Sequence, residues 1–166
     1  MLEWWTYRPS DFLMFAPRIY WRLFESINAA YWPWQLVIVA AVVWWAWRGG
    51  RWRPAALTAV GLAAMFALCA WAFHHQRFAP IFWVAEIYAW VFGAQALLLL
   101  GLTSNGSAVD ARALEPRRAR VAGVLALWTV IGHPLLAPIA ARPWTQAEWP
   151  GLAPDPTAIL ALAFLL

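Results

Sequence analysis

The residues able to do chemistry in this chain are few and lie far apart in sequence. His74-His75-Gln76-Arg77 is followed by Glu86, then by His133, and then by Glu148 and Asp155 in the polar stretch from Arg142 to Pro156. Imidazole and carboxylate together suit zinc or iron. Two histidines on different helices can hold haem. Ionisable groups inside an apolar span form proton or substrate paths. A divalent metal on His74, His133 and Glu86 is the specific metal set these residues allow, with haem as the other cofactor. Adjacent helical residues point about 100° apart, so only one of His74 and His75 can join such a site. No HExxH, CxxC or CxxCH spacing is present. The plainer alternative is therefore that no cofactor binds. Glu86 and His133 then serve backbone groups freed by Pro80 or Pro134, or pair with Arg77.

Other chemistries find no support. Ser10, Ser26, Ser104 and Ser107 lie in no nucleophile-elbow motif, and Gly49-Gly50 is not followed by the Lys-Ser/Thr of a phosphate loop. Cys69 is the single cysteine and sits in an apolar run, where it reads as a small buried hydrophobe. No catalytic residue is expected.

These polar residues must be positioned by an unusually apolar chain. Hydrophobic residues make up 64% and charged residues 12% of 166 residues, against roughly half and a quarter in soluble domains. Four stretches match the ~20 apolar residues that cross a bilayer: about 31–47, 54–73, 80–102 and 121–141. Pro33, Pro54 and Pro80 stand near the starts of the first three, where a missing N–H costs little. Ahead of them, residues 10–29 carry Phe12, Phe15, Ile19, Leu23 and Ile27 at helical spacing, with Asp11, Arg18, Arg22 and Glu25 opposite. That pattern predicts an interfacial amphipathic helix which Pro17 begins or kinks, its apolar face on lipid or on the protein's own helices. After Asp155, residues 157–166 predict the start of a fifth helix with Thr157 as cap, about 15 Å long, as in an incomplete version of a longer protein. The expected fold is an all-α integral membrane protein in one domain, an antiparallel bundle.

Charge and tryptophan placement set the expected orientation. All twelve basic residues are arginine. Arg48, Arg51 and Arg53 follow the first span, and Arg112, Arg117, Arg118 and Arg120 follow the third, so the loops 48–53 and 103–120 read as cytoplasmic and the N-terminus as outside. Trp32, Trp34, Trp44, Trp45 and Trp47 read, with those three loop arginines, as anchors at the two membrane interfaces. The Trp44–Arg53 segment, rich in tryptophan and arginine, resembles a nucleic-acid patch, but it joins two apolar spans, and nucleic acid is excluded as a partner. The expected partners are the bilayer and a protein within it. His74, His75, Arg77, Glu86, His133 and Glu148 gather on the outer side.

Three segments, Trp4–Glu25, Trp71–Trp83 and His133–Thr157, resemble a family of uncharacterised bacterial multi-pass membrane proteins, known only as a domain of unknown function. The resemblance implies a bacterial inner-membrane protein, with relatives that continue past the equivalent of Leu166, and it implies no activity. The leading expectation is a non-enzymatic accessory or scaffold subunit of a larger membrane complex. Its competitors are a small transporter or metal- or haem-binding protein using the outer His/Glu cluster, and a lipid-acting membrane enzyme.

Overall fold

The computed structural model describes residues 16–47, 55–104 and 115–165. Among them the regular structure is helical throughout, apart from an isolated bridge between Pro150 and Ala153.

Helix α1 (Pro17–Ala30) begins where its proline falls at the first helical position, the extended Ala16 preceding it. The expected helix thus starts at Pro17, and residues 10–15 lie outside the described residues. Its buried ridge is Phe24 and Ile27, with Ile19 exposed at 41%. The apolar face is therefore rotated from the Ile19–Leu23–Ile27 row that spacing predicts, and Arg18, Arg22 and Glu25 point away from the core. The rotation follows from the Phe24 ring, which stacks on Phe73 at 5.0 Å between centroids.

Two of the four expected spans are long and apolar enough to cross a membrane: Ala56–Phe78 and Pro116–Ile139, of 23 and 24 residues. The other two are shorter than expected. Helix α2 (Trp34–Trp47) has 14 residues, follows a turn at 31–33, and meets α1 at 89°, so the pair is one span only if the break is included. Fourteen residues rise about 21 Å, short of a ~30 Å hydrocarbon core. The segment from Pro80 spends its first residues in turns, and helix α4 (Ala85–Ser104) offers an apolar stretch only 17 residues long, Ala85–Gly101.

Helix α3 (Ala55–Leu68) continues without interruption into a π-helical stretch, Cys69–Phe78, ended by Ala79 N–H donating to His74 O at 2.8 Å. Helix α5 (Pro116–Leu127) likewise passes through a π turn, Trp128–Gly132, into α6 (His133–Ile139). Helix α7 (Pro154–Leu165) packs against α5 and α3. It begins three residues before the expected 157, because Pro154 and Pro156 are tolerated in a first helical turn. One core joins Val42, Leu62, Phe66, Leu99, Val130, Leu160 and Phe164. A second, at the end of the molecule carrying α1, joins Phe24, Ile27, Phe73, Phe78 and Leu152. Trp45 packs against the first core, whereas Trp32, Trp34, Trp44 and Trp47 are exposed. Trp45, one of the expected interface anchors, therefore also packs on the protein's own core. Arg48, Arg51 and Arg53 lie outside the described residues.

Thr157 is not the N-cap that sequence suggests. It lies inside α7, fully buried, where its hydroxyl accepts from Gly151 N–H at 2.7 Å and donates to Ala153 O at 2.6 Å. Gly151 holds φ at 83°, a left-handed conformation that glycine adopts without steric cost. Replacing Thr157 with the isosteric Val strands a buried N–H, so we expect a stability loss of about 1–3 kcal/mol, with Thr157→Ser close to the parent. Equal thermal melts for the two variants in detergent would sink this assignment.

Candidate functional site

The π-helical stretch decides where His74, His75 and Arg77 go. The stretch, with widened i→i+5 bonding, buries Cys69, Ala70, Ala72, Phe73, His74 and Phe78 and leaves Trp71, His75 and Gln76 exposed. His74 thereby enters an aromatic cage, with Phe92 at 4.8 Å, Phe73 at 5.2 Å and Tyr88 at 5.8 Å between ring centroids. Among the described residues neither of its ring nitrogens has a hydrogen-bond partner. His75 turns outward, stacks on Trp71 at 4.8 Å and pairs through Nδ1 with Glu86 Oε2 at 2.9 Å. Glu86 is in the first turn of α4, a place that favours a carboxylate, and its side chain is 42% exposed. It is a helix-end group, because α4 starts at Ala85, five residues after the start expected at Pro80. Arg77 donates to Ala72 O at 2.7 Å and to Ser26 Oγ at 3.1 Å. It satisfies a carbonyl of the π-helical stretch and ties α1 to it.

His133 meets neither Glu86 nor the His74-His75 pair. The π turn before it places its side chain in the interior, 8% exposed, and its N–H donates to Trp128 O. A Cβ at Gly132 would overlap the Trp128 ring as it is placed. Helix α6 ends at Ile139; Ala141 follows with φ at 57°, and Arg142 N–H reaches back to Ala137 O at 2.8 Å. This six-to-one closure starts the loop that carries Arg142 and Glu148. Asn28 of α1 donates to Thr145 O and Ala147 O, at 2.9 and 2.7 Å, and fastens the loop.

The result is an ionic nest between α1, α6, the loop and α7. Arg142 Nη2 donates to Glu148 Oε1 at 3.2 Å, and its guanidinium lies 3.6 Å from the centroid of the Trp21 ring. The other oxygen, Glu148 Oε2, is 3.8 Å from His133 Nδ1. One ligand atom from each of His133, Glu148 and Asp155 lies within 4.8 Å of the others, the one such trio among the described residues. Tyr20 of α1 closes the nest. Burial first, then the charges of Asp155 and Glu148, raise its phenol far above the ordinary range and keep it protonated. Cys69 lies beneath, fully buried.

Sequence spacing brings His133, Glu148 and Asp155 to one end of the molecule without joining them, and leaves out Tyr20 and Arg142. One signal was available: Arg142, Glu148 and Asp155 are the charged residues of a single 15-residue loop region directly after His133. A second feature lies beside the nest, a cleft of about 460 Å³ where Trp32, Trp144 and Trp149 converge with Glu25, Asn28 and Gln35.

Fold and site together define a helical protein with, among the described residues, two helices long enough to cross a membrane and a buried Arg142–Glu148 ion pair at one end. The chain belongs to the Family of unknown function (DUF6064), whose model matches residues 17–166. The match covers Trp71–Trp83 and His133–Thr157 entirely, and the Trp4–Glu25 segment from Pro17 onward. No curated protein and no solved structure matches the chain.

Proposed function

We propose that the chain is a multi-pass protein of the bacterial inner membrane, a non-enzymatic subunit that binds a membrane partner through the tryptophan cleft at its outer, periplasmic end. The observation that carries this reading is the distribution of exposed apolar surface. Along the two long helices and α4, Leu57, Trp90, Leu97, Leu98, Val124 and Ile139 are 66–76% exposed. A water-facing protein does not present such large continuous apolar surface without a partner, and lipid accounts for it. Helix α1, with its charged face outward and at 89° to α2, suits the interface plane. Beyond the spans, Trp32 and Trp144 remain exposed at 64% and 54% on either side of the cleft, and tryptophan is the residue type most enriched at binding hot spots.

The expected result is that the chain stays in the membrane pellet after alkaline carbonate extraction and co-purifies with a defined membrane protein at fixed stoichiometry. Replacing Trp32 and Trp144 by Ala releases that partner while carbonate resistance persists. Release of the chain into the soluble fraction overturns the membrane assignment. A partner-free chain purified from its native membrane overturns the subunit assignment.

A further inference from the structure

We infer that His133, Glu148 and Asp155 form a binding site for a divalent transition metal of the zinc class, with Arg142 as the positioning residue of its carboxylate ligand. This goes beyond the subunit reading and stands independently of it: a metal here pins α6, the loop and α7 together and requires no catalysis.

Three observations carry the inference. The first is the separation of His133 Nδ1 and Glu148 Oε2. At 3.8 Å it is too long for a hydrogen bond, yet it suits two ligands of one ion, since bonds of about 2.1 Å at a tetrahedral centre put their ligand atoms roughly 3.4 Å apart. The second is the state of His133 Nδ1. The residue is more than nine-tenths buried, and among the described residues this nitrogen has no hydrogen-bond partner. A buried imidazole nitrogen without a partner is costly unless something binds it. Glu148 Oε2 stands 3.8 Å from it, and an Asp155 carboxylate oxygen lies within 4.8 Å of a ring nitrogen of His133, so a cation answers the need and an anion does not. The third is how Glu148 is held. Arg142 takes Oε1 and is itself fixed over Trp21, leaving Oε2 directed at His133. Outer hydrogen bonds of this kind orient ligating carboxylates. Asp155, exposed at the first turn of α7, supplies the third ligand from the solvent side, where an ion would enter. One imidazole and two carboxylates leave the fourth tetrahedral position to water or to a group from a partner.

The test uses the full-length, tag-free chain in detergent, with Zn2+ and Co2+ as probes. The expected result is one equivalent of Zn2+ per chain, and a Co2+ complex whose visible absorption bands have the intensity of four- or five-coordinate cobalt. Asp155→Asn changes an exposed residue, so the metal-free protein should still melt cooperatively, while Zn2+ binding weakens at least tenfold. His133→Gln abolishes the cobalt spectrum. Glu86→Gln, at the separate His75 pair, leaves both measurements as in the parent. Equal Zn2+ affinity for the parent and Asp155→Asn overturns the inference, as does metal binding lost in Glu86→Gln but kept in His133→Gln. Neither result touches carbonate resistance or partner release, so the two proposals fail separately.

Discussion

Arg142→Met is expected to lower stability by about 3–5 kcal/mol, because it leaves the Glu148 carboxylate in the interior without its countercharge. The side chains of Arg142 and Glu148 are 12% and 11% exposed, so water screens the loss poorly. Methionine restores some of the volume but neither the charge nor the flat contact 3.6 Å from the Trp21 ring centroid. Arg142→Lys keeps the charge and loses the forked, stacking geometry, and should fall between the two. The pair itself need not be strongly stabilising. Replacing both partners removes the stranded charge, so Arg142→Met with Glu148→Gln should recover much of what the single change loses. A double-mutant cycle in urea, run with chelator present to exclude metal, measures this coupling. If the two changes simply add, with coupling under about 0.5 kcal/mol, the nest is not an energetic unit and its role in holding the loop fails.

What could be read from sequence, and what could not, divides along physical lines. Apolar composition and run length gave an all-helical chain with stretches able to cross a membrane, because hydrophobicity summed over about twenty residues is insensitive to detail. Helix ends were harder. Pro80 marks the start of an apolar run but not of a helix, and the turns through Val84 shorten α4 and lift Glu86 to its first turn. The π-helical stretches were invisible to a 3.6-residue period. They decide that His74 points into an aromatic cage while His75 faces Glu86, and that His133 turns inward. The nest was only partly legible because its members come from elements brought together by packing. Tyr20 and Arg142 are 122 residues apart in sequence, and no local pattern links α1 to the loop that Asn28 holds.

Phe24→Ala should be the most damaging single change in α1, costing about 3–5 kcal/mol by cavity formation. Phe24 is 1% exposed and stacks on the fully buried Phe73 at 5.0 Å and 18°. Tyr20 meets both rings edge-on, at 5.2 and 6.2 Å, and also Phe78 at 5.5 Å. Each such aromatic contact contributes about 0.5–1.5 kcal/mol beyond area burial. The effect should be local as well as global. Helix α1 is held to the rest of the fold by this cluster, the Arg77–Ser26 bond, the Asn28 bonds to the loop, bonds from Gln35 to Asn28 O and from Gln146 to Glu25, and the Arg142–Trp21 contact. With the Phe24 ring gone, α1 should open before the long helices do. Amide exchange in α1 should then accelerate by two to three powers of ten, the kinetic equivalent of about 3–4 kcal/mol at roughly 1.4 kcal/mol per decade. Exchange in Ala56–Phe66 should hardly change. Because Tyr20 and Trp21 belong to α1, the nest should loosen in parallel, and Arg142 should lose its seat on the Trp21 ring. Trp83→Ala, which removes a larger ring that is 70% exposed, is the control and should leave α1 exchange at the parental rate. Matching exchange profiles for Phe24→Ala and Trp83→Ala would show that α1 is held by something other than this aromatic stack.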